Sequence, residues 1–169
     1  MKPLKDQPEK GLAAQVDAQW WRIESPTEYS KALLLMRERV SFYKNGVLHR
    51  ADGPAVILAD GSESWYRNGK LHRVDGPAVV WADGSKFWHK NGKLHRTDGP
   101  AAIWVDGSEE WHLNGELHRV DGPAVVWANG YKAWYKNGKL HREDGPAVVW
   151  ADGTKKWRRC LGEWVRKLF

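Results

Sequence analysis

WYRNGKLHRVDGPAVVWADGSKF, residues 65–87, belongs to a run of five consecutive copies between Phe42 and Lys156 that recur every 23 residues, the interval from Trp65 to Trp88. A unit this short cannot bury a core alone, so neighbouring copies must close one another in an array. Each copy opens on an aromatic residue (Phe42, Trp65, Trp88, Trp111, Trp134) and reaches Asn-Gly three residues later, at Asn45, Asn68, Asn91, Asn114 and Asn137. Leu-His-Arg follows, then one variable residue, Asp-Gly-Pro-Ala, an apolar run ending on Leu58, Trp81, Trp104, Trp127 or Trp150, and a closing Asp-Gly or Asn-Gly.

Asn-Gly and Asp-Gly between strand-forming residues are hairpin signals, because a type I′ turn needs positive φ at both central positions. With two such turns per copy, the expected fold is mainly β. It is an elongated single-sheet antiparallel meander of five β-hairpin repeats at about 10 Å per copy. If Asp83-Gly84 is a two-residue turn, Trp81 faces Lys86 and Val79 faces Trp88; across Asn91-Gly92, Trp88 faces His95. Trp, Val and His then form one face, and each Asp-Gly-Pro bends the chain to reset the register.

Residues 1–41 read as an N-terminal helical cap. Ser25-Pro26-Thr27-Glu28 has the form of a helix start, with Tyr29, Leu33, Met36 and Val40 as one apolar stripe. A second helix is expected over Glu9–Trp21, aligning Leu12, Val16 and Trp20. Residues 157–169 read as a degenerate sixth copy and basic C-terminal cap, a closing strand or short helix.

The chain has 169 residues, twelve tryptophans, one cysteine (Cys160) and a net charge of +6. That is one domain of ordinary size, with no disulfide framework, no apolar run of transmembrane length and no signal-peptide core, so a cytoplasmic location is expected. The basic surplus is concentrated in residues 157–169, which carry four Lys/Arg and one Asp/Glu; the repeats carry sixteen and fourteen. An array built to hold phosphates would need a sustained basic stripe.

The most chemical-looking element is the ladder His-Arg-x-Asp: His49, His72, His95, His118 and His141, then Arg50, Arg73, Arg96, Arg119 and Arg142, then Asp52, Asp75, Asp98, Asp121 and Asp144. Equivalent histidines about 10 Å apart cannot share a metal ion. Five equal copies also argue against one catalytic His–Asp site. The residues read as structural are therefore Trp65, Trp88, Trp111, Trp134, Arg73, Asp75, Arg96, Asp98, Arg119 and Asp121. Each arginine and aspartate is expected to form a bidentate pair or hold turn amides, and histidine to pack on tryptophan. No catalytic residue, metal or cofactor is expected.

The period, the aromatic-x-x-Asn-Gly-Lys-x-His opening and the Asp-Gly-Ser closing resemble MORN repeats (membrane occupation and recognition nexus) and the related repeats of bacterial antitoxin-type proteins, over about residues 42–166. Where that family usually has Gly-x-Gly after the histidine, this chain has Arg-x-Asp-Gly-Pro-Ala, similar to a variant in phage, giant-virus and bacterial proteins. The resemblance implies a noncatalytic hairpin array that binds a partner protein or forms a homo-oligomer; some members of the family have been linked to acidic phospholipids. It places partner contacts at variable positions: Ser64, Phe87, Glu110, Ala133 and Lys156, with Tyr66, His89, His112 and Tyr135 nearby.

Three functions compete. The leading one is a noncatalytic scaffold binding a partner protein, as an inhibitor or antitoxin-like factor of phage or bacterial origin. A second is association with nucleic acid or an anionic membrane through the C-terminal segment, where Trp164, Leu168 and Phe169 sit among Arg158, Arg159, Arg166 and Lys167. The third is an enzyme using a His/Asp pair.

Overall fold

Every element assigned among the described residues is a β-strand, and all pairing is antiparallel. The computed structural model describes residues 2–4, 12–16, 19–22, 39–158 and 164–167. The chain forms a meander of short hairpins divided between two units, Met1–Asp83 with His89–Gly92, and Gly84–Trp88 with Lys93–Phe169.

In the first unit the strand order is Lys2–Leu4, Gln19–Arg22, Leu12–Val16, Arg39–Lys44, Val56–Leu58, Glu63–Ser64 and Val79–Val80. The helix expected over Glu9–Trp21 is replaced by the strands Leu12–Val16 and Gln19–Arg22, with Ala14 opposite Trp21 and Phe42. The helix expected from Ser25 to near Arg39 lies, up to residue 38, outside the described residues. Its last stripe residue, Val40, lies in the strand Arg39–Lys44. In the second unit the order is Lys86–Phe87, Ala102–Ile103, Glu109–Glu110, Val125–Val126, Lys132–Ala133, Val148–Val149, Lys155–Arg158 and Trp164–Lys167. The degenerate sixth copy thus closes as a strand.

The two turn types differ in backbone. At Asn-Gly both residues are left-handed (Asn45 φ 52°, Gly46 φ 75°), and Tyr43 faces Leu48 across a two-residue loop, as type I′ requires. At Asp-Gly only the glycine is left-handed, Gly107 at φ 83° for example. Trp104 N–H donates to the Ser108 carbonyl at 2.9 Å, and Gly107 N–H to the Trp104 carbonyl at 3.0 Å. This is a three-residue loop, a type I turn closed by a glycine bulge.

The longer loop corrects the expected register by one residue. Val56 faces Ser64 and Ile57 faces Glu63 in the first unit; Ala102 faces Glu110 and Ile103 faces Glu109 in the second. The tryptophan that joins the valine row is consequently the one ending the apolar run. Trp150 packs with Leu117, Tyr131, Tyr135 and Leu140 against Val125, Ala133 and Val148. The pairing across Asn-Gly is as expected, since His95 N–H donates to the Trp88 carbonyl at 2.9 Å.

Asp-Gly-Pro bends the chain in each copy and delivers a fully buried alanine, Ala55 and Ala78 in one unit, Ala101, Ala124 and Ala147 in the other. Ala55 and Ala101 each receive one bond and donate another: Phe42 N–H to the Ala55 carbonyl at 2.7 Å, and Ala101 N–H to the Glu110 carbonyl at 2.8 Å. The seryl hydroxyl of Asp-Gly-Ser joins each copy to the next, since Ser62 Oγ accepts Ala82 N–H at 3.0 Å and Ser108 Oγ accepts Ala128 N–H at 3.0 Å.

Candidate functional site

The arginine of each copy lies over that copy's opening aromatic. Cζ sits 4.3 Å from the Phe42 centroid for Arg50, 4.0 Å from Trp65 for Arg73, 4.1 Å from Trp88 for Arg96, and 3.9 Å from Trp111 and Trp134 for Arg119 and Arg142. On its other side is the glycine of Asp-Gly-Pro: a Cβ built on Gly99 or Gly122 would lie 2.9 Å from Cζ of Arg96 or Arg119. These glycines have no positive φ, so guanidinium approach is what excludes a side chain there.

Of the two arrangements expected, a bidentate Arg–Asp pair or a hold on turn amides, neither is seen as such: the donors are divided between the aspartate and a turn carbonyl. Arg96 donates Nε–H to Asp98 at 3.0 Å and an Nη1–H to the Pro100 carbonyl at 3.3 Å; Arg119 does the same with Asp121 at 3.2 Å and Pro123 at 3.3 Å. Geometry forces this division, because the stack over tryptophan aims one edge of the fork at the turn carbonyl. The hydrogen bond from arginine is the main cause that holds the carboxyls of Asp52, Asp98 and Asp121 below the ordinary carboxylate range. Arg73 donates to the Pro77 carbonyl at 3.3 Å, and Asp75 is exposed beside it.

Histidine does more than pack on tryptophan. Asn68 N–H donates to His49 Nδ1 at 3.1 Å, Asn91 N–H to His72 at 3.2 Å, Asn114 N–H to His95 at 3.1 Å, and Asn137 N–H to His118 at 3.2 Å. Each imidazole therefore holds the Asn-Gly tip of the following copy and keeps its left-handed asparagine in place. Among the described residues no group of three or more His, Cys, Asp or Glu could hold a metal ion.

The residues expected to contact partners separate into three places. Tyr66, His89 and Tyr135 are half-buried hairpin residues whose carbonyls accept the N–H of Arg50, Arg73 and Arg119. Phe87 and Glu110 lie in the row that faces the buried valines and alanines, Phe87 opposite Ala102 and Glu110 between Ala102 and Val125. In that row Ala133 is fully buried. His112 is buried and sits 2.8 Å from Glu110 through Nε2, while its Nδ1 is buried without a hydrogen-bond partner. Arg158 ends one strand of the terminal hairpin, and Trp164 and Arg166 lie on the other; Arg159 is outside the described residues.

One cleft unites several of these departures from the repeat. Trp104, Trp127 and Glu110 line about 360 Å3 together with Asp106, Ser108 and Asn129. Phe87 meets Trp104 edge-on at 5.6 Å, and Tyr131, standing where other copies have Ser or Thr, lies 4.6 Å from Trp127. Ala102, Trp104, Trp127 and Tyr131 were not among the candidates read from the sequence. The available signal was that Ala102 and Tyr131 break the pattern in adjacent copies, next to the variable positions Phe87 and Glu110. No protein-family model matches the chain, and no curated protein matches it.

Proposed function

We propose that this chain is a noncatalytic repeat scaffold that binds a partner protein, in the manner its resemblance to MORN-like arrays implies, with an inhibitor or antitoxin-like factor as its specific form. The observation that supports this reading is the employment of the chemical-looking ladder: guanidiniums held between aromatic ring and glycine, and imidazoles capping the next Asn-Gly tip, alike from copy to copy. Groups engaged this way hold a frame rigid, and specificity is then written in positions that vary within it. Affinity capture with the intact chain at low and high salt tests the proposal. A stoichiometric protein partner that survives high salt is expected; capture of nucleic acid or lipid alone would overturn it.

A second reading is favoured by the terminal hairpin. Its register sets Lys155 opposite Lys167 and Lys156 opposite Arg166, which brings four basic residues onto two adjacent strands. Binding of nucleic acid or an anionic membrane there would fall steeply with salt and disappear on deletion of residues 157–169.

A further inference from the structure

We propose that the cleft between Trp104 and Trp127 receives an arginine side chain of the partner protein, a site that rests on the scaffold reading above. The strand order Lys86–Phe87, Ala102–Ile103, Glu109–Glu110, Val125–Val126, Lys132–Ala133 explains the construction. The register places Ser108 directly between Trp104 and Trp127, and Glu110, two residues on and flanked by Ala102 and Val125, lines the same cleft from the same strand face.

Each wall is braced from behind. Phe87 precedes Trp104 in the strand order and meets it at 84°, while Tyr131 leans on Trp127 from beyond. Fixed aromatic walls reduce the ordering cost of binding. Trp127 is 44% exposed, which leaves the cleft open to a ligand. The neighbouring interval, between the strands that lead into Trp127 and Trp150, has Ala133 opposite Val125 and Val148 in place of a carboxylate, so the charge belongs to one cleft alone in this set.

The chemistry of the lining selects a planar cation. Indole faces attract cations, and a guanidinium stacks flat between rings while its edge donates to a carboxylate; an ammonium is a more strongly hydrated point charge. This chain already places five of its own guanidiniums on aromatic rings at 3.9 to 4.3 Å. His112 fixes one Glu110 oxygen at 2.8 Å and leaves the second as acceptor, and Asp106 adds a carboxylate at the rim. The field of Glu110 reaches Tyr135, whose phenol is raised chiefly by burial and secondarily by that charge.

The test is titration of the intact protein with arginine amide, citrulline amide, lysine amide and tetramethylammonium, following the indole N–H resonances of Trp104 and Trp127. Arginine amide should give saturable shifts with Kd on the order of millimolar. The neutral isostere citrulline amide should bind about tenfold or more weakly, as should arginine amide to Glu110→Gln. Trp127→Leu should abolish the response with the hairpin resonances unmoved. Absence of saturation, equal binding of citrulline amide, or tighter binding of lysine amide or tetramethylammonium would overturn the assignment. Affinity capture separates the two readings. A protein retained equally by wild type and Glu110→Gln overturns the cleft but keeps the scaffold, whereas arginine amide binding with no protein ever captured overturns the partner reading itself.

Discussion

Within the second unit the Arg–Trp ladder and the Trp104–Trp127 cleft use the same chemistry to opposite ends. In the ladder the cation comes from the chain itself, is fixed by a glycine behind it and a proline carbonyl beside it, and is the same in every copy. In the cleft two indoles that recur in the repeat flank a carboxylate at a position that varies from copy to copy. Regular copies fix positions; irregular ones sit where the fixed frame can present them. The most informative perturbations either break the frame or move a residue from one category to the other.

The largest effect is expected in the frame. Ala124 is fully buried and its carbonyl accepts Trp111 N–H at 2.8 Å, so a longer side chain has nowhere to go. Ala124→Leu should cost about 3 kcal/mol by overpacking, measured as a fall in denaturation midpoint at constant m-value. A loss under about 0.5 kcal/mol, typical of an exposed site, would mean that the alanine row is not the core.

Gly122→Ala should come next. The added methyl would push Arg119 off Trp111 and away from Pro123, forfeiting a stacked cation and a charged hydrogen bond, about 2 kcal/mol together. Gly76→Ala should cost less, because the corresponding approach to Arg73 is 3.3 Å instead of 2.9 Å. In an Arg119→Ala background the Gly122 substitution should become nearly neutral. If it stays as costly there, the glycine is required for some reason other than the guanidinium.

How much of this was legible depends on whether the deciding interaction is local. Asn-Gly turns and the 23-residue period were readable because positive φ at adjacent residues is written in two letters. The Asp-Gly loop was not, since the same dipeptide suits either a two-residue turn or a three-residue loop. Here Asp106 Oδ1 accepts Ser108 N–H at 2.8 Å in an Asx turn, and only Gly107 is left-handed. Leu12 and Val16 misled for a related reason, since a spacing of four suits one face of a helix and one face of a strand alike, whereas Trp20 lies on the next strand. The glycine of Gly-Pro carried a usable clue, because a residue before proline is driven to extended backbone and a glycine there argues for close approach rather than a left-handed turn. The cleft was beyond reach of the linear pattern. Its members became neighbours only through the corrected register, which places Glu110 rather than Trp111 opposite Ala102.

A middle-sized effect tests whether the irregular row was refitted as a set. Phe87 faces Ala102 where the other apolar runs have valine, as expected if a large side chain is matched by a small one across the pair. Ala102→Val alone should cost about 1 kcal/mol, and combining it with Phe87→Ser should recover at least half of the loss expected from summing the two single substitutions. Strict additivity in the double-mutant cycle would show that these two departures arose without regard to each other.

The smallest effect concerns protons. Asp98 and Asp121 carboxyls are held below their ordinary value first of all by hydrogen bonds from Arg96 and Arg119. A depressed folded-state pKa means that the unfolded chain takes up protons first as pH falls. Whatever these pairs contribute is therefore complete above the unfolded value near 3.8 and is lost as pH drops through the lower folded value. Both carboxylates are 79% and 84% exposed, so solvent and salt screen the pair and the contribution is small. The denaturation midpoint should be flat from neutral pH down to about 5 and should decline below about 4. In Asp98→Asn the decline should be shallower and the neutral-pH stability slightly lower. An unchanged acid slope in that variant would place the acid sensitivity elsewhere, and the ladder would then owe its rigidity to the stack over tryptophan and the proline carbonyl alone.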